Sequence, residues 1–384
     1  MSINKVGIIG SGAMGAGIAQ VAAMAGFEVL VYDMNQDARA KALKGINFSL
    51  AKLTEKGKIT DAESVAVIGR IGMIGAIEAL KDCNLIIEAI VEKEDVKKTV
   101  FKQLDMFVCQ ECIIASNTSS LSITSLASSL SNPERFVGIH FFNPPVLMSL
   151  VEVIAATQTS PDTLTKVIDW VHAIGKTAVK VKDTPGFIVN KVARPFYSEA
   201  LRIYEEGIAD IATIDQVMRA HGFRMGPFEL MDFIGHDVNY RVTEAVWKAF
   251  YYNEKYRPAH TQLKLMEAGY FGRKSDRGFY LYQNGKPIEA PQQIEVSDIL
   301  SSTVFRRIIA MLVNEAADTV YLGICTEDDV EQAMKLGVNY PKGLLAWGKE
   351  IGYTDIVQTL DDLYDYYHES RYSVSPMLRK LAKI

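Results

Sequence analysis

The sequence predicts an α/β protein in which a doubly wound, mostly parallel sheet is followed by two all-α helical domains. Three observations support this prediction. Short apolar runs alternate with helix-length patterns in the first half of the chain, strand patterns nearly vanish after Pro185, and the helical part repeats at a spacing of about 116 residues. With 384 residues, the chain is long enough to bury more than one hydrophobic core.

The sheet is predicted from apolar runs of strand length, several of which are separated by helical patterns. The predicted strands are residues 5–9, 28–32, 85–87, 113–115, 136–139, 150–154 and 177–181. An alanine-rich helix is predicted over residues 16–25, and a long amphipathic helix over residues 37–58. This alternation favours a parallel sheet that is covered by helices on both faces.

Shifts in composition predict the domain boundaries. The sheet domain is predicted over residues 1–183 and a first helical domain over residues 184–282. A linker is predicted over residues 283–300, because a glycine, two prolines and several glutamines thin the apolar pattern there. A second helical domain is predicted over residues 301–384.

The two helical domains are predicted to be copies of each other, because Glu199 in the first recurs as Glu315 in the second. The other matching positions are Ala200 with Ala316, Gly207 with Gly323, Ile208 with Ile324, and Gly226 with Gly343. One difference is informative. Asn190 lies nine residues before Glu199, whereas Arg306 lies nine residues before Glu315.

Composition argues against nucleic acid and membrane partners. The net charge of -5 gives no overall attraction to polyanions. No apolar run approaches the roughly 18 residues of a membrane-spanning helix. The N-terminus lacks the charged, apolar and small-residue regions of a secretory signal, so we expect a cytoplasmic protein.

The four cysteines are too few and too scattered for a disulfide framework in a chain of this size, so reduced thiols are expected. Cys109 and Cys112 form a C-x-x-C pair, and a redox or metal role for this pair is the alternative. The pair has no second pair and no nearby histidine, so no metal site is predicted.

A dinucleotide-binding motif follows the first predicted strand. The predicted cofactor loop consists of Gly10, Ser11, Gly12, Ala13, Met14 and Gly15. Its three glycines form G-x-G-x-x-G between a strand and a helix, which permits a tight turn and close backbone approach to a pyrophosphate at the helix N-terminus. The sheet domain is therefore predicted to be Rossmann-like.

Asp33 stands at the end of the next predicted strand, 18 residues after Gly15. A carboxylate in this position accepts hydrogen bonds from the adenosine ribose hydroxyls, and its charge repels a 2′-phosphate. NAD is therefore favoured over NADP as the cofactor. A solvated turn residue is the alternative interpretation of Asp33.

His140 and Glu152 are polar residues inside apolar runs. Each is costly to bury alone, so the two are predicted to pair with each other. A histidine with a pKa near neutrality suits proton removal from a hydroxyl, and a carboxylate can orient it. The alternatives are a core histidine that is satisfied by backbone groups and an edge-strand carboxylate that faces water.

The chain resembles the L-3-hydroxyacyl-CoA dehydrogenase family, over residues 3 to about 282. The matching motifs are Gly10-x-Gly12-x-x-Gly15, Glu88-Ala-Ile-Val-Glu92, Ser116-Asn-Thr-Ser-Ser120, His140-Phe-Phe-Asn143-Pro, Leu150-Val-Glu152-Val and Pro185-Gly-Phe-Ile-Val-Asn190. Within the family, the resemblance is to bacterial 3-hydroxybutyryl-CoA and 3-hydroxyadipyl-CoA dehydrogenases with tandem C-terminal domains.

The resemblance implies the reversible, NAD-dependent oxidation of an (S)-3-hydroxyacyl-CoA, such as 3-hydroxybutyryl-CoA, to the 3-oxoacyl-CoA. Such a reaction serves fatty-acid metabolism by β-oxidation, or aromatic-acid degradation. The resemblance further implies that His140 abstracts the 3-hydroxyl proton and that Glu152 orients it. Ser119 and Asn190 would contact the hydroxyl or thioester oxygen, and Asn143 would contact the cofactor or shape the site.

Further cofactor contacts are implied by the same resemblance. Glu92, Lys97 and Ser119 match family positions near the ribose and nicotinamide end of the cofactor. Lys274 matches a lysine that approaches the cofactor from the helical domain. For the lysines, an ordinary solvated side chain is the alternative.

Contacts with coenzyme A are implied for Ser49 and Lys56 on the predicted helix over residues 37–58. Lys52 lies four residues before Lys56 and therefore on the same helix face, where it adds positive charge for a nucleotide phosphate. A solvated helix face is the alternative.

The duplicated helical domain is interpreted as an intrachain pseudo-dimer that leaves one active site per chain, and further assembly into a homo-oligomer stays open. Two alternative functions also stay open at this stage. One is an NAD-dependent dehydrogenase of a free hydroxy acid, and the other is a catalytically silent, NAD-binding structural protein.

Overall fold

The computed structural model describes residues 3–288 and 295–383. The chain divides between Thr184 and Pro185 into two compact units. No helix in the described part of the chain has the length and apolar character that a membrane span requires.

The first unit is built on an eight-stranded sheet with the strand order β3-β2-β1-β4-β5-β6-β7-β8. The strands are β1 (Lys5–Ile9), β2 (Glu28–Tyr32), β3 (Ile71–Ile74), β4 (Leu85–Glu88), β5 (Ile113–Ser116), β6 (Phe136–Phe141), β7 (Leu150–Ala155) and β8 (Thr177–Lys182). All neighbouring strands are parallel except β6 and β7, which are antiparallel. The first six strands have the order of a Rossmann sheet, which confirms the predicted fold class.

The helices of the first unit are α1 (Ala13–Met24), α2 (Gln36–Glu55), α3 (Asp61–Gly69), α4 (Glu94–Asp105), α5 (Ile123–Ala127) and α6 (Pro161–Ala173). Helix α2 begins where the Asn35 side chain accepts hydrogen bonds from the N–H groups of Asp37 and Ala38. Alternate side chains of the central strands pack with α1 and α6 in one hydrophobic core, which includes Ile8, Ile87 and Trp170.

Strand β3 was not predicted from the sequence. Its four residues, Ile71-Gly72-Met73-Ile74, include no polar side chain, so the sequence shows no alternation of apolar and polar residues. All four residues are half-buried, so burial does not alternate either. The strand lies at the edge of the sheet and pairs only with β2. A short strand with an internal glycine gives little periodic signal.

The described residues of the second unit form mainly helices, together with one hairpin. Its helices are α7 (Val189–Val192), α8 (Arg194–Glu205), α9 (Ile211–Ala220), α10 (Pro227–Ile234), α11 (His236–Ala249), α12 (His260–Glu267), α13 (Asp298–Tyr321), α14 (Glu327–Gly337), α15 (Leu344–Ile351), α16 (Tyr353–Tyr367) and α17 (Pro376–Ala382). Helices α7 and α8 are separate, because α7 ends at Val192 and α8 begins at Arg194.

The predicted linker over residues 283–300 is structured at both of its ends. Strands β9 (Tyr282–Gln283) and β10 (Lys286–Pro287) form an antiparallel hairpin, and α13 begins at Asp298. Asn284 and Gly285 occupy the turn with φ values of 53° and 72°. An Asn-Gly pair is the preferred sequence for such a two-residue turn, and the sequence analysis missed it. Residues 289–294 of the predicted linker lie outside the described residues.

The helical unit repeats its local architecture. Gly235 ends α10 with φ 98°, and Gly352 ends α15 with φ 102°. The Asp215 carboxylate accepts hydrogen bonds from the first-turn N–H groups of α10, and the Glu331 carboxylate does the same for α15. The same carboxylate-to-helix contact therefore occurs once in each half of the unit.

Buried ion pairs connect the two halves of this unit. Arg307 of α13 donates to the Glu199 carboxylate of α8, with Nε 2.9 Å from Oε1. Lys191 of α7 donates to the Glu315 carboxylate of α13 and also to the Thr319 hydroxyl, at 2.9 Å. The side chains of Lys191 and Glu315 are almost completely buried.

The groups around Glu315 stabilise the ionised form of its carboxyl. Burial raises the pKa of its carboxyl, but the nearby charges of Lys191 and Lys255 and a 2.6 Å hydrogen bond from the Tyr256 hydroxyl outweigh this effect. The pKa is lowered from 4.5 to about 2. The contribution of the ionised Glu315 carboxylate to the stability of the folded protein is therefore complete above pH 4.5. It is lost as the pH falls toward about 2.

We predict that Glu315→Gln lowers the free energy of unfolding by about 3–5 kcal/mol at neutral pH, because Lys191 is left buried without its carboxylate. The difference between the variant and the wild type should shrink as the pH falls from 4.5 toward about 2. Urea unfolding of both proteins, followed by circular dichroism at several pH values in this range, measures the difference in the free energy of unfolding. A difference that stays constant with pH would contradict the assignment.

Candidate active site and cofactor site

The cofactor loop has a conformation that requires its glycines. Gly10 has a φ of 100°, and a Cβ there would lie 2.6 Å from the Ala89 carbonyl oxygen. A Cβ on Gly15 would lie 1.9 Å from the Gly10 carbonyl oxygen, so α1 could not pack on the loop. A Cβ on Gly12 would meet nothing within 4 Å, which leaves open space beside the loop.

The N-terminus of α1 is not neutralised by the protein. Gly12 is the N-cap residue, no side chain caps the helix, and the first turn carries no acidic residue. The backbone N–H groups at this end therefore present partial positive charge to the open space. This arrangement fits the pyrophosphate of a dinucleotide.

Asp33 is tied directly to the cofactor loop. Its Oδ2 atom accepts hydrogen bonds from the Ser11 N–H, at 2.9 Å, and from the Ser11 hydroxyl, at 2.8 Å. Its Oδ1 atom accepts one from the Asn35 N–H, at 3.0 Å. Burial raises the pKa of Asp33, but these hydrogen bonds and the Arg39 charge lower it overall, so the carboxylate is ionised at neutral pH.

The residues present fit NAD. An ionised carboxylate at the end of β2 favours ribose hydroxyls and repels a 2′-phosphate. The Arg39 guanidinium donates to the backbone carbonyl of Asp33 and is engaged by that contact. The role of Ser11 as the link between the loop and Asp33 was not predicted, because a serine between glycines gives no signal of its tertiary partner.

His140 and Glu152 form a hydrogen-bonded pair. The antiparallel register of β6 and β7 places them directly opposite each other, and His140 Nδ1 lies 2.7 Å from Glu152 Oε2. Glu152 is completely buried, and His140 is 7% exposed. A carboxylate that has lost its proton can only accept hydrogen bonds, and paired with such a group Nδ1 would be the donor and Nε2 the basic nitrogen.

The strand that carries His140 is fixed at its C-terminal end. The Asn117 side chain follows β5, and its Oδ1 atom accepts a 2.9 Å hydrogen bond from the Phe141 N–H. The Phe142 ring centroid lies 4.6 Å from that of His140. These contacts limit movement of the imidazole relative to the sheet.

A buried polar network lies at the C-terminal ends of β4 and β5. The Lys97 ammonium lies 2.6 Å from Glu88 Oε1 and 3.2 Å from Glu92 Oε2. The Ser116 hydroxyl donates to Glu88 Oε2 at 2.7 Å. Lys97 is only 1% exposed, so it is not the ordinary solvated lysine that was the alternative from sequence. Glu88 was not predicted, although a charged residue at the end of a buried parallel strand is an available signal.

Glu92 connects this network to the loop that carries Ser119. Its Oε1 atom accepts hydrogen bonds from the Thr118 hydroxyl, the Ser119 N–H at 3.1 Å and the Ser120 hydroxyl at 3.1 Å. Burial raises the pKa of Glu92, but the charge of Lys97 and these hydrogen bonds lower it overall. The ionised Glu92 carboxylate therefore holds the loop over residues 118–120 through three hydrogen bonds.

Asn143 lies exposed in the loop after β6. Two contacts hold the residues that follow it. Pro145 packs against Gly17 of α1 so closely that a Cβ on that glycine would lie 2.9 Å from the proline ring. The Lys176 ammonium donates to the carbonyls of Pro145 and Met148, at 2.7 Å each. Burial lowers the pKa of Lys176.

The predicted coenzyme A residues share a surface of α2. Lys52 and Lys56 are exposed, and Ser49 is half-buried. The Lys52 ammonium lies 4.2 Å from the ring centroid of Phe48, which is 63% exposed. Positive charge and an exposed aromatic ring therefore lie next to each other on this helix.

Two predicted site residues belong to the second unit. Asn190 lies in α7, and its backbone carbonyl accepts a 2.8 Å hydrogen bond from Arg194 Nε. The Lys274 ammonium pairs with the Asp237 carboxylate beside Gly235. The loop around Lys274 is anchored by Asp232, whose carboxylate accepts hydrogen bonds from the N–H groups of Phe279 and Tyr280.

Residues 3–288 and 295–383 contain no group of three or more His, Cys, Asp or Glu side chains with a metal-binding arrangement. Cys83, Cys109 and Cys112 are free thiols. Burial raises the pKa of Cys83 to about 12 and that of Cys112 still further, so these two thiols are poor nucleophiles.

Two family models match nearly the whole chain. The model of the 3-hydroxyacyl-CoA dehydrogenase NAD-binding domain matches residues 5–184. The model of the 3-hydroxyacyl-CoA dehydrogenase C-terminal domain matches two segments, residues 186–282 and 304–384.

Curated relatives and solved structures agree with these models. A 3-hydroxyadipyl-CoA dehydrogenase of Escherichia coli (strain K12) is 34% identical, over all of this chain and 98% of the relative. A 3-hydroxybutyryl-CoA dehydrogenase of Bradyrhizobium diazoefficiens is 41% identical, over 74% of this chain and 98% of the relative. The crystal structure of a 3-hydroxybutyryl-CoA dehydrogenase from Escherichia coli K12 superposes with a TM-score of 0.95 at 34% identity, over 100% of this chain and 99% of that chain. The chain therefore belongs to the 3-hydroxyacyl-CoA dehydrogenase family, the NAD-dependent oxidoreductases of 3-hydroxyacyl-CoA thioesters.

Proposed function

We propose that His140 is the general base in the NAD-dependent oxidation of an (S)-3-hydroxyacyl-CoA to the 3-oxoacyl-CoA and that Glu152 orients it. The hydrogen bond between His140 Nδ1 and Glu152 Oε2, 2.7 Å long, is the observation that carries this proposal. It favours the tautomer in which Nδ1 carries the proton and Nε2 can accept one. Substrates with a short acyl chain, such as 3-hydroxybutyryl-CoA, are the proposed class.

The proton transfer follows from this geometry. His140 Nε2 accepts the proton of the 3-hydroxyl group, and the imidazolium that forms is stabilised by the Glu152 carboxylate beside Nδ1. Bound NAD supplies the hydride acceptor for the same carbon. In the reverse direction, the His140 imidazolium returns the proton to the oxygen of the 3-oxo group.

Ser119 and Asn190 are the proposed hydrogen-bond donors to the hydroxyl or thioester oxygen. For Ser119, the proposal is supported by the hydrogen bond from its backbone N–H to Glu92, 3.1 Å long, which holds the loop that carries its hydroxyl. For Asn190, the proposal rests on the family resemblance and on the side-chain amide, which can both donate and accept.

The proposed cofactor contacts begin with the loop over residues 10–15 and the Asp33 carboxylate. Glu92 and Ser119 are proposed to contact the ribose and nicotinamide end, with Asn143 nearby and Lys274 contributed by the helical unit. We propose that Lys97 acts indirectly, because its ammonium is buried between Glu88 and Glu92 and holds the latter in place.

The coenzyme A moiety is proposed to bind at Ser49 and Lys56, with Lys52 adding charge for a phosphate group. This proposal is supported by the exposure of both lysines, Lys52 in the last turn of α2 and Lys56 at its C-cap. An ammonium group at such a position interacts favourably with a phosphate.

We also propose that the predicted domains 184–282 and 301–384 form an intrachain pseudo-dimer. Reciprocal contacts support it: a cation of the first half binds Glu315 of the second, and a cation of the second half binds Glu199 of the first. Such reciprocity is typical of a two-fold interface. Further assembly into a homo-oligomer and a cytoplasmic location stay predictions from the sequence.

We predict that His140→Gln lowers kcat by about 10²–10⁴-fold, because the base is lost while the fold and cofactor site are retained. The assay follows NADH absorbance with acetoacetyl-CoA as substrate. NADH binding, measured by fluorescence titration, serves as the control and should be unchanged. Wild-type activity in this variant, with the fold intact, would refute the proposed mechanism.

We predict that Asp33→Asn reduces the preference for NADH over NADPH by about tenfold, equivalent to about 1.4 kcal/mol. The amide keeps the shape of the side chain but removes the charge that repels a 2′-phosphate. Asp37→Asn, in the first turn of α2, is the matched control. Equal preferences in the two variants would show that the Asp33 charge does not select the cofactor.

We predict that the double variant Ser49→Ala/Lys56→Ala raises KM for acetoacetyl-CoA by about fivefold or more, because a charge-assisted hydrogen bond to coenzyme A is lost. Lys44→Ala, on the same helix but about 120° around its axis from Lys56, is the control. An unchanged KM in the double variant would favour a dehydrogenase that acts on a free hydroxy acid.

A further inference from the structure

The second unit contains two buried charge clusters of the same design. The Glu315 cluster consists of Lys191, Glu315 and Tyr256. The Glu199 cluster consists of Arg307, Glu199 and Tyr372. Each member of the Glu199 cluster is separated from its counterpart by 116 residues along the chain. In each cluster, a cation and a tyrosine hydroxyl from one half of the unit bind a glutamate from the other half.

The two clusters have similar geometry. The Tyr256 hydroxyl donates to Glu315 at 2.6 Å, and the Tyr372 hydroxyl donates to Glu199 at 3.0 Å. Both glutamates are 1% exposed. Each cluster has one further charged partner: Lys255 lies 3.1 Å from Glu315 Oε2, and Arg307 Nη1 donates to Glu206 at 2.9 Å. The two clusters are therefore similar in design although their charges differ in number, and each can serve as a control for the other.

The cations of the two clusters, Lys191 and Arg307, lie in different local structures. Arg307 lies inside α13, a helix of 24 residues whose own hydrogen bonds define its backbone. Lys191 lies in α7, which has only four residues and follows two residues with positive φ, Gly186 and Phe187. A single helical turn is not stable by itself, so tertiary contacts must hold α7 in place.

The contacts of Lys191 and Arg194 provide this support. Lys191 is completely buried and binds Glu315 and the Thr319 hydroxyl. Arg194 donates through Nε to the Asn190 carbonyl and through Nη1 to the Thr243 hydroxyl, at 3.0 Å. Asn190 precedes Lys191 directly, so the position of its side chain depends on these two anchored cations.

We infer that Glu315 is a positioning residue for Asn190 and acts through Lys191. The second helical copy thus contributes to turnover without contacting the substrate. The Glu199 cluster has no such role, because the residue that precedes Arg307 is Arg306 and lies within a continuous helix. The inference rests on the proposed contact of Asn190 with the substrate.

The test compares Glu315→Gln with Glu199→Gln in the full-length enzyme, with acetoacetyl-CoA and NADH as substrates. Each change removes a buried carboxylate from its cation, so both variants should lose Tm. Arg307 keeps its contact with Glu206 whereas Lys191 and Lys255 share Glu315, so the loss should be no smaller for Glu315→Gln. Glu315→Gln should lower kcat by about tenfold or more, because displacement of a substrate-contacting residue is costly to catalysis. Glu199→Gln should keep kcat within about twofold, and both should leave KM for NADH within about twofold of the wild type.

Three further variants apply if Glu315→Gln fails to fold. Thr319→Val removes one hydrogen bond of Lys191, and the counterpart of Thr319 in the first half is Ile203, so an apolar β-branched residue is accommodated there. Thr319→Val should lower kcat severalfold. Lys191→Arg should retain most of kcat, because arginine occupies the counterpart position 307, whereas Lys191→Met should not.

Two results would overturn the inference. Equal kcat losses in the Glu315 and Glu199 variants, with an active wild type, would show that both clusters serve only folding. Wild-type kcat in both Thr319→Val and Lys191→Met would show that Lys191 does not position Asn190. A wild-type enzyme without activity toward acetoacetyl-CoA would instead refute the proposed function, and the positioning role with it.

Discussion

The antiparallel pairing of β6 and β7 is the constraint on which the proposed chemistry depends. It places His140 opposite Glu152 and brings Nδ1 within 2.7 Å of a fully buried carboxylate. Burial of an unpaired carboxylate is costly, so the pairing serves both the stability of the sheet and the orientation of the imidazole. Strands β1 to β6 run parallel to one another and bring their C-terminal ends to one edge, where the cofactor loop, Asp33 and the Glu88 network lie.

Ionised carboxylates organise this edge of the sheet. Asp33 holds the cofactor loop through Ser11, and Glu92 holds the Ser119 loop while Lys97 stays buried beside it. In both cases burial raises the carboxyl pKa and local donors lower it by more. The loops around the proposed site are thus fixed by the protein itself, which reduces the reorganisation that binding and reaction require.

The fold class, the NAD cofactor and the family were predictable from the sequence, because glycine spacing, strand periodicity and the order of motifs are local signals. The partners of Ser11 and the burial of Lys97 were not, because they depend on contacts between residues far apart in the chain. Strand β3 lacked alternation, and the Asn284-Gly285 hairpin lay in a segment that composition had marked as a linker. The 116-residue repeat was visible in the sequence, but the pairing of Lys191 with Glu315 required the structure.

The claim that His140 is the base and that Glu152 orients it is tested most directly by determining the tautomer of His140. Nitrogen-15 NMR of the enzyme labelled in its histidines, with the resonance assigned from the His140→Gln variant, reports which ring nitrogen carries the proton at a pH where the imidazole is neutral. The account predicts that Nδ1 carries the proton and donates it to Glu152, leaving Nε2 unprotonated. A neutral His140 with its proton on Nε2 would contradict the assignment of this residue as the base and of Glu152 as its orienter.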